Sequence, residues 1–361
     1  MEEQFDSQEE SLYLFSSNQI PKFENDAINT VCQPEGIIMQ FRYEQENISG
    51  ILSDRVSNGD KSLLGMKVMV VFVNVIGKGN TNEIWKPEFY PVRYGKLIKY
   101  ESVGNLTLFF FQLSNEFIDY KKFDKTRLNE LILSLKGRPN NGTSPGSYLT
   151  GEFATLQPAF KADFIKSGLS AQQEIIKNLL PLYDNRLFYT FKIKEEHTDG
   201  TTTDLAVKRL PLVANPVAGY FLSPKCHYSL ILNGYFGIES AKRFKGITLN
   251  INDSRKVIKT DYGSVDLGYW QDQIEIQLIS EESSSRAQQT ILEITSKDSS
   301  GADTGRMEIH FNVERSLGFV WWIVAVFIGL IIGVVIPNPI VKGLGSVLAT
   351  IGVFFLARSY K

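Results

Sequence analysis

Cysteine and histidine are scarce in this 361-residue chain: two cysteines, Cys32 and Cys226, and three histidines, His197, His227 and His310. Two thiols that far apart build no disulfide framework and fit a reducing compartment. No histidine sits in an HxxxH or HExxH pattern, and Cys226-His227 lacks partner ligands at metal spacing, so no metal site is expected. Strong net charge is also missing. The formal balance is −2, which gives no global field to attract nucleic acid. The N-terminus has neither a basic n-region nor an apolar h-region, so no export signal is expected.

Catalytic signatures are absent as well. There is no GxSxG elbow, no Rossmann glycine fingerprint and no GxxxxGK[ST] loop. "VIGKGN" at 75–80 reads as a loop between strands. Asp261 and Asp266 flank a Tyr-Gly turn, where aspartates ordinarily cap backbone. The expectation is a protein without enzymatic activity and without a cofactor.

What the chain does have, at its C-terminal end, is a long apolar stretch. Leu317 to Ile336 contains no charge, and its 20 residues match a bilayer's thickness at about 1.5 Å rise per residue. Trp321 and Trp322 stand near its start, where indoles favour the headgroup level. Pro337-Asn338-Pro339 breaks the helix, and a second apolar run follows from Ile340 to Ala357. The pair reads as a transmembrane hairpin, with a single span followed by an interfacial segment as the alternative. Arg315 flanks one end and Arg358 with Lys361 the other, against Lys342 at the turn. That bias places the soluble part on the cytoplasmic side of the cell membrane. Gly329 and Gly333 form GxxxG, and Gly345, Ala349 and Gly352 lie along the second helix; such residues permit close helix packing, within one hairpin or between copies in a homo-oligomer.

Upstream, residues 1–35 hold eight acidic residues and one lysine and read as a partly disordered arm. Residues 36–160 alternate strand-like runs with turns. "NLTLFFFQL" has apolar residues on both faces and reads as a buried central strand. A helix is expected after Asp124, carrying Leu128, Leu131, Ile132 and Leu135, and a second from Ser170 with Gln173 closing a capping box. Residues 161–184 form a helical connector. Residues 185–315 are nearly all short strands, as in an immunoglobulin-like β-sandwich. The last strand alternates cleanly, with His310 on its polar face, and ends two or three residues before the apolar run. Residues 316–361 complete the chain as the hairpin, with spans at 317–336 and 340–357. The expected class is mainly β: an α+β domain, then the sandwich, then the hairpin.

Arg93, Lys96 and Lys99, interleaved with Tyr94 and Tyr100, are the candidate ligand-binding residues, because cations beside aromatics hold phosphorylated or nucleotide ligands. Together these features suggest a membrane-anchored effector or sensor. Its soluble domains bind an unknown cytosolic ligand or protein partner, and its hairpin perturbs the bilayer. Bacterial defence effectors share that architecture, by analogy rather than by motif. A passive scaffold or adaptor that recruits a partner is the alternative, and a membrane-tethered enzyme is a more distant one.

Overall fold

The computed structural model describes residues 4–18, 21–76, 86–124, 126, 153–182, 188–210, 215–235, 247–253, 257–261, 264–267, 273–281, 288–297 and 303–314, with 324, 326–328, 331 and 350 beyond them. The described chain is mainly β with few helices.

Within 1–35, expected to be a partly disordered acidic arm, the described residues are instead mostly strand and helix. Strand β1 (Phe5–Ser17) and helix α1 (Pro21–Cys32) occupy this stretch. Averaging charge over 35 residues conceals the short run SLYLFSS, whose residues 11–17 are all buried. Leu12 and Leu14 point into one hydrophobic cluster, Tyr13 and Phe15 into another, as alternation requires. The acids collect where the register shifts between Asp6 and Glu10, and there they meet cations: Glu9 pairs with Lys67 at 3.0 Å and Glu10 with Arg55 at 2.7 Å.

Next come β2 (Ile38–Glu44), α2 (Gly50–Ser57), β3 (Lys67–Ile76), β4 (Lys86–Val103), β5 (Leu106–Ile118), β6 (Phe153–Phe160) and β7 (Ile165–Ser167). They complete a seven-stranded sheet of order β2-β5-β4-β3-β1-β6, with β7 beside the end of β5. Strand β1 runs parallel to β3 and antiparallel to β6, so the chain's first strand is interior. Strand β5 is interior too, and Phe109, Phe110 and Phe111 are each 2% exposed or less. Full burial of one such ring is worth about 1.5–3 kcal/mol. Gly104, at φ 61, makes the two-residue turn between β4 and β5, a backbone state that penalises a Cβ.

Helix α3 (Leu169–Leu179) packs Ala171, Ile175, Ile176 and Leu179 inward. Its N-cap is Gly168, and no side chain caps it, so the expected capping box from Ser170 is not formed. Starting one residue earlier moves Ser170 inside the helix and frees Gln173 to donate to the Tyr235 hydroxyl at 3.2 Å.

The remaining strands are β8 (Phe188–Glu196), β9 (Thr202–Asp204), β10 (Lys208–Arg209), β11 (Ala218–Leu222), β12 (His227–Tyr235), β13 (Ile247–Asp253), β14 (Ile258–Thr260), β15 (Ser264–Leu267), β16 (Gln273–Ser280), β17 (Gln288–Lys297) and β18 (Asp303–Val313). They form a five-stranded sheet, β14-β16-β12-β8-β9, and a six-stranded sheet, β10-β11-β18-β17-β13-β15. Phe191 of the first lies 6.2 Å from Tyr220 of the second, ring to ring, and inward residues of both sheets share one core, so this part is a β-sandwich. Strand β11 is parallel to the end of β18, and the two backbones approach so closely that a Cβ on Gly219 would sit 2.1 Å from the His310 oxygen.

The helix expected over Leu128–Leu135, the 75–80 loop beyond Ile76, Trp321, Trp322, Gly329, Gly333, Gly345, Ala349 and Gly352 lie outside the described residues. Among the described residues no helix is long and apolar enough to cross a membrane.

Candidate ligand pocket between sheet and sandwich

A helix leaves its last four carbonyls without intrahelical partners. In α1 those groups are met by side chains from elsewhere. Arg93 donates through Nη1 to Thr30 O at 3.0 Å and to Gln33 O, and through Nε to Ser114 O at 2.7 Å. Gln172 of α3 donates to Val31 O at 2.7 Å. A cation there also complements the negative end of the helix dipole. The Arg93 guanidinium stacks 4.9 Å from the Phe117 ring and the residue is 1% exposed. Burial pulls its pKa down to about 9, opposed by the charge of Glu35.

Arg93 is therefore a capping residue, closed off from solvent, and not part of an open basic patch. Lys96 is exposed; Lys99 bonds Glu101 at 2.6 Å and Asn215 at 3.1 Å and lies 5.3 Å over the Phe110 ring. Register shifts between Arg93 and Gly95 and between Leu97 and Lys99 interrupt the strand's alternation. The three cations consequently do not converge on one site.

The same helix joins the sheet to the sandwich. Asn25 and Asn29 both donate to Arg306 O, at 3.0 and 2.9 Å, and Arg306 N donates back to Asn25 Oδ1 at 3.0 Å. Gln33 donates to Glu308 O at 3.2 Å. These three amides recur every four residues, one face of a helix. They satisfy the backbone edge of β18 just before β11 takes it over at Phe311. Beneath them Cys32 is buried, and burial pushes its thiol up to about 12, against a hydrogen bond from the Tyr189 backbone. It is a packing thiol, not a reactive one.

Where α1 ends, the turn at Pro34, Glu35 and Gly36 overhangs a cavity of about 440 Å³. Its other walls are residues 191–193 on the edge of β8, the crossover 204–207 between the two sheets, and Tyr220 of β11. Gly36 at φ 90 and Val207 close one end, since a Cβ on Gly36 would lie 3.2 Å from the Val207 Cβ. Leu205 N is tied to Ile193 O at 2.8 Å. Lys192 faces Asp204 at 3.9 Å. Tyr220 is 2% exposed, and its hydroxyl has no hydrogen-bond partner among the described residues; burial raises its phenol above the ordinary value. Neither Glu35 nor Tyr220 was singled out by the sequence. A Pro-Glu-Gly turn after a helix and a tyrosine in a short strand are ordinary local signals, and only the sheet-to-sandwich contact brings them together.

His310, on the strand face read as polar, is half-buried. Burial lowers its pKa, with Glu308 opposing. Among the described residues no group of three or more metal-ligating side chains converges.

No protein-family model matches the chain, and no curated protein matches it. Among solved structures it is similar to WR4, a C. elegans MSP family member, at TM-score 0.20 and 5% identity, over 27% of this chain and 92% of that one. It is similar to the Vibrio cholerae VesB protease at TM-score 0.21 and 8% identity, over 70% and 89%. A third likeness is the sialic acid binding region of a Streptococcus sanguinis SK1 adhesin, at TM-score 0.17 and 11% identity, over 86% and 78%. Scores this low carry no functional argument.

Proposed function

We propose that this chain is a membrane-anchored, non-enzymatic effector or sensor. An α+β domain and an immunoglobulin-like sandwich receive a ligand or partner on the cytoplasmic side, and a C-terminal transmembrane hairpin, assembling with other copies, perturbs the bilayer. The supporting observation is the hold on β18. Helix α1 grips its first half through Asn25, Asn29 and Gln33, and β11 pairs with its end through Val313. Glu314 N then donates to Leu222 O at 2.8 Å, three residues before the apolar run begins at Leu317. A shift of α1 or of the turn that follows it would be passed along a strand that ends three residues before the apolar run. Loose tethering would need slack, and each residue of connection spans at most about 3.5 Å.

The test is a flexible Gly/Ser insert of about ten residues between Arg315 and Ser316, with a root-mean-square reach of roughly 15–20 Å. Expression and folding should stay normal, while dye entry or loss of membrane potential in cells carrying the protein should fall sharply. Undiminished membrane activity would overturn coupling and leave a passive anchor that recruits a partner.

A further inference from the structure

We propose that the free edge of strand β2 pairs, antiparallel, with the same edge of a second copy of this chain, so that Arg42 of each copy stands opposite Glu44 of the other. The proposal concerns the soluble part and does not rest on the hairpin. Three observations carry it. The first is an open backbone. Strand β2 ends the seven-stranded sheet and pairs with β5 alone. Leu113 N donates to Ile37 O at 2.8 Å and Gln45 N to Asn105 O at 3.0 Å, so the odd-numbered residues between them exchange backbone bonds with β5. Gln40, Arg42 and Glu44 therefore aim N–H and C=O outward, where no group among the described residues meets them. All three residues are exposed.

The second is the lack of edge protection. Open edges are ordinarily blunted by proline, lysine, a bulge or a covering segment. The opposite edge, β6, contains Pro158, and Ser49 N donates to its Ala154 O at 2.9 Å. Ile38–Glu44 contains neither proline nor lysine, and its register with β5 runs without a shift through all 7 residues. Such an edge is a template for strand addition.

The third is charge. Arg42 and Glu44 lie on one face of β2, and neither has an ion pair among the described residues. Outward-bonding residues must meet outward-bonding residues, which leaves three registers in competition. One sets Arg42 against Arg42, and like charges directly opposite repel. A second sets Glu44 against Ile38, toward the end where Val207 stands close against Gly36. The third sets Arg42 opposite Glu44 on both sides of a two-fold axis at Tyr43, so the edge is complementary to itself.

The experiment uses the detergent-solubilised full chain with Cys226→Ser and a nitroxide on Gln40→Cys; the remaining thiol, Cys32, is buried. Dipolar electron paramagnetic resonance then reads the spacing between copies. Residue 40 would face residue 46 of the second copy, which puts the two attachment points about 20 Å apart at roughly 3.3 Å per residue. The repelling register would give about 14 Å and the crowded one about 8 Å. Arg42→Glu should weaken pairing roughly tenfold, and Arg42→Glu combined with Glu44→Arg should restore it, because the swapped charges again face their opposites. Both side chains are exposed, so the variants keep the fold. Copies held together by the hairpin alone would give an oligomeric mass without this spacing. No spacing near 20 Å, a spacing indifferent to Arg42→Glu, or no recovery in the double reversal would overturn the proposal. The junction insert leaves the β2 edge untouched, so the two experiments fail separately.

Discussion

At the residue scale, Arg93 shows how burial decides the role of a charge. Its guanidinium is bound to Thr30, Gln33 and Ser114 carbonyls in a site without solvent. Arg93→Ala would strand those acceptors and is expected to cost about 3 kcal/mol or more, read as a lower urea midpoint. Lys96→Ala, on the exposed neighbour, should stay within about 0.5 kcal/mol. A ligand-binding Arg93 would give the opposite pattern, with binding lost and stability kept. His310 makes a second residue-scale forecast. Its folded pKa lies below the ordinary value because burial disfavours the charged ring. The unfolded chain therefore binds the extra proton first. His310's contribution is fully present above about pH 6.5 and is lost as pH falls through the lowered folded value. Melts of the wild type and His310→Gln, taken from pH 8 to 5, should show a steeper acid-side decline in the wild type; parallel curves would contradict this.

At the scale of elements, α1 acts as a surrogate strand along β18. Its Asn25, Asn29 and Gln33 amides replace the ladder that β11 supplies only from Phe311 onward. The two asparagines make three hydrogen bonds to Arg306, each worth about 1 kcal/mol net, so Asn25→Ala with Asn29→Ala should together cost about 3 kcal/mol. The more specific sign is faster amide exchange at Arg306, whose N–H would lose the Asn25 Oδ1 acceptor. Unchanged protection at Arg306 would mean that another group covers the strand. The helix itself went unread inside a segment taken as an acidic arm, although Ala27, Ile28 and Val31 carry helical apolar spacing. Its amide stripe was not legible at all, because polar residues at helical spacing look the same whether they face water or a strand edge.

At the scale of the whole molecule, one hydrophobic cluster runs without a break from Leu12 in the first sheet, through Val31, Cys32 and Ile175, to Phe188 and Phe311 in the sandwich. Interfaces between independent domains are usually smaller and more polar. Sheet and sandwich are therefore expected to unfold in one transition, with tyrosine signals from Tyr43 in the sheet and Tyr228 in the sandwich lost at the same denaturant concentration. Two resolved transitions would show that the shared core does not couple them. A single transition is also what the coupling proposed for the hairpin needs, since a shift of α1 must not be absorbed by a loose joint.

Much of this protein was legible in its sequence. Strand periodicity announced a mainly β chain, the double-faced apolar run around Phe109–Phe111 announced an interior strand, and alternation from Met307 to Val313 announced the last strand. These are local signals, fixed by the two-residue repeat of an extended backbone. Tertiary structure decided the rest. It drew β1 out of an acidic segment into the middle of a sheet, because seven buried residues outweigh charges that a register shift can turn toward Lys67 and Arg55. It closed Arg93 under a helix end, where two carbonyls of the end of α1 and one of β5 needed a donor. It also placed Glu35 and Tyr220, residues 185 positions apart in the chain, on the walls of one cavity, which no periodicity could foretell. A sequence states which faces must be buried; which distant face each one is buried against is settled only when all of them must be satisfied at once.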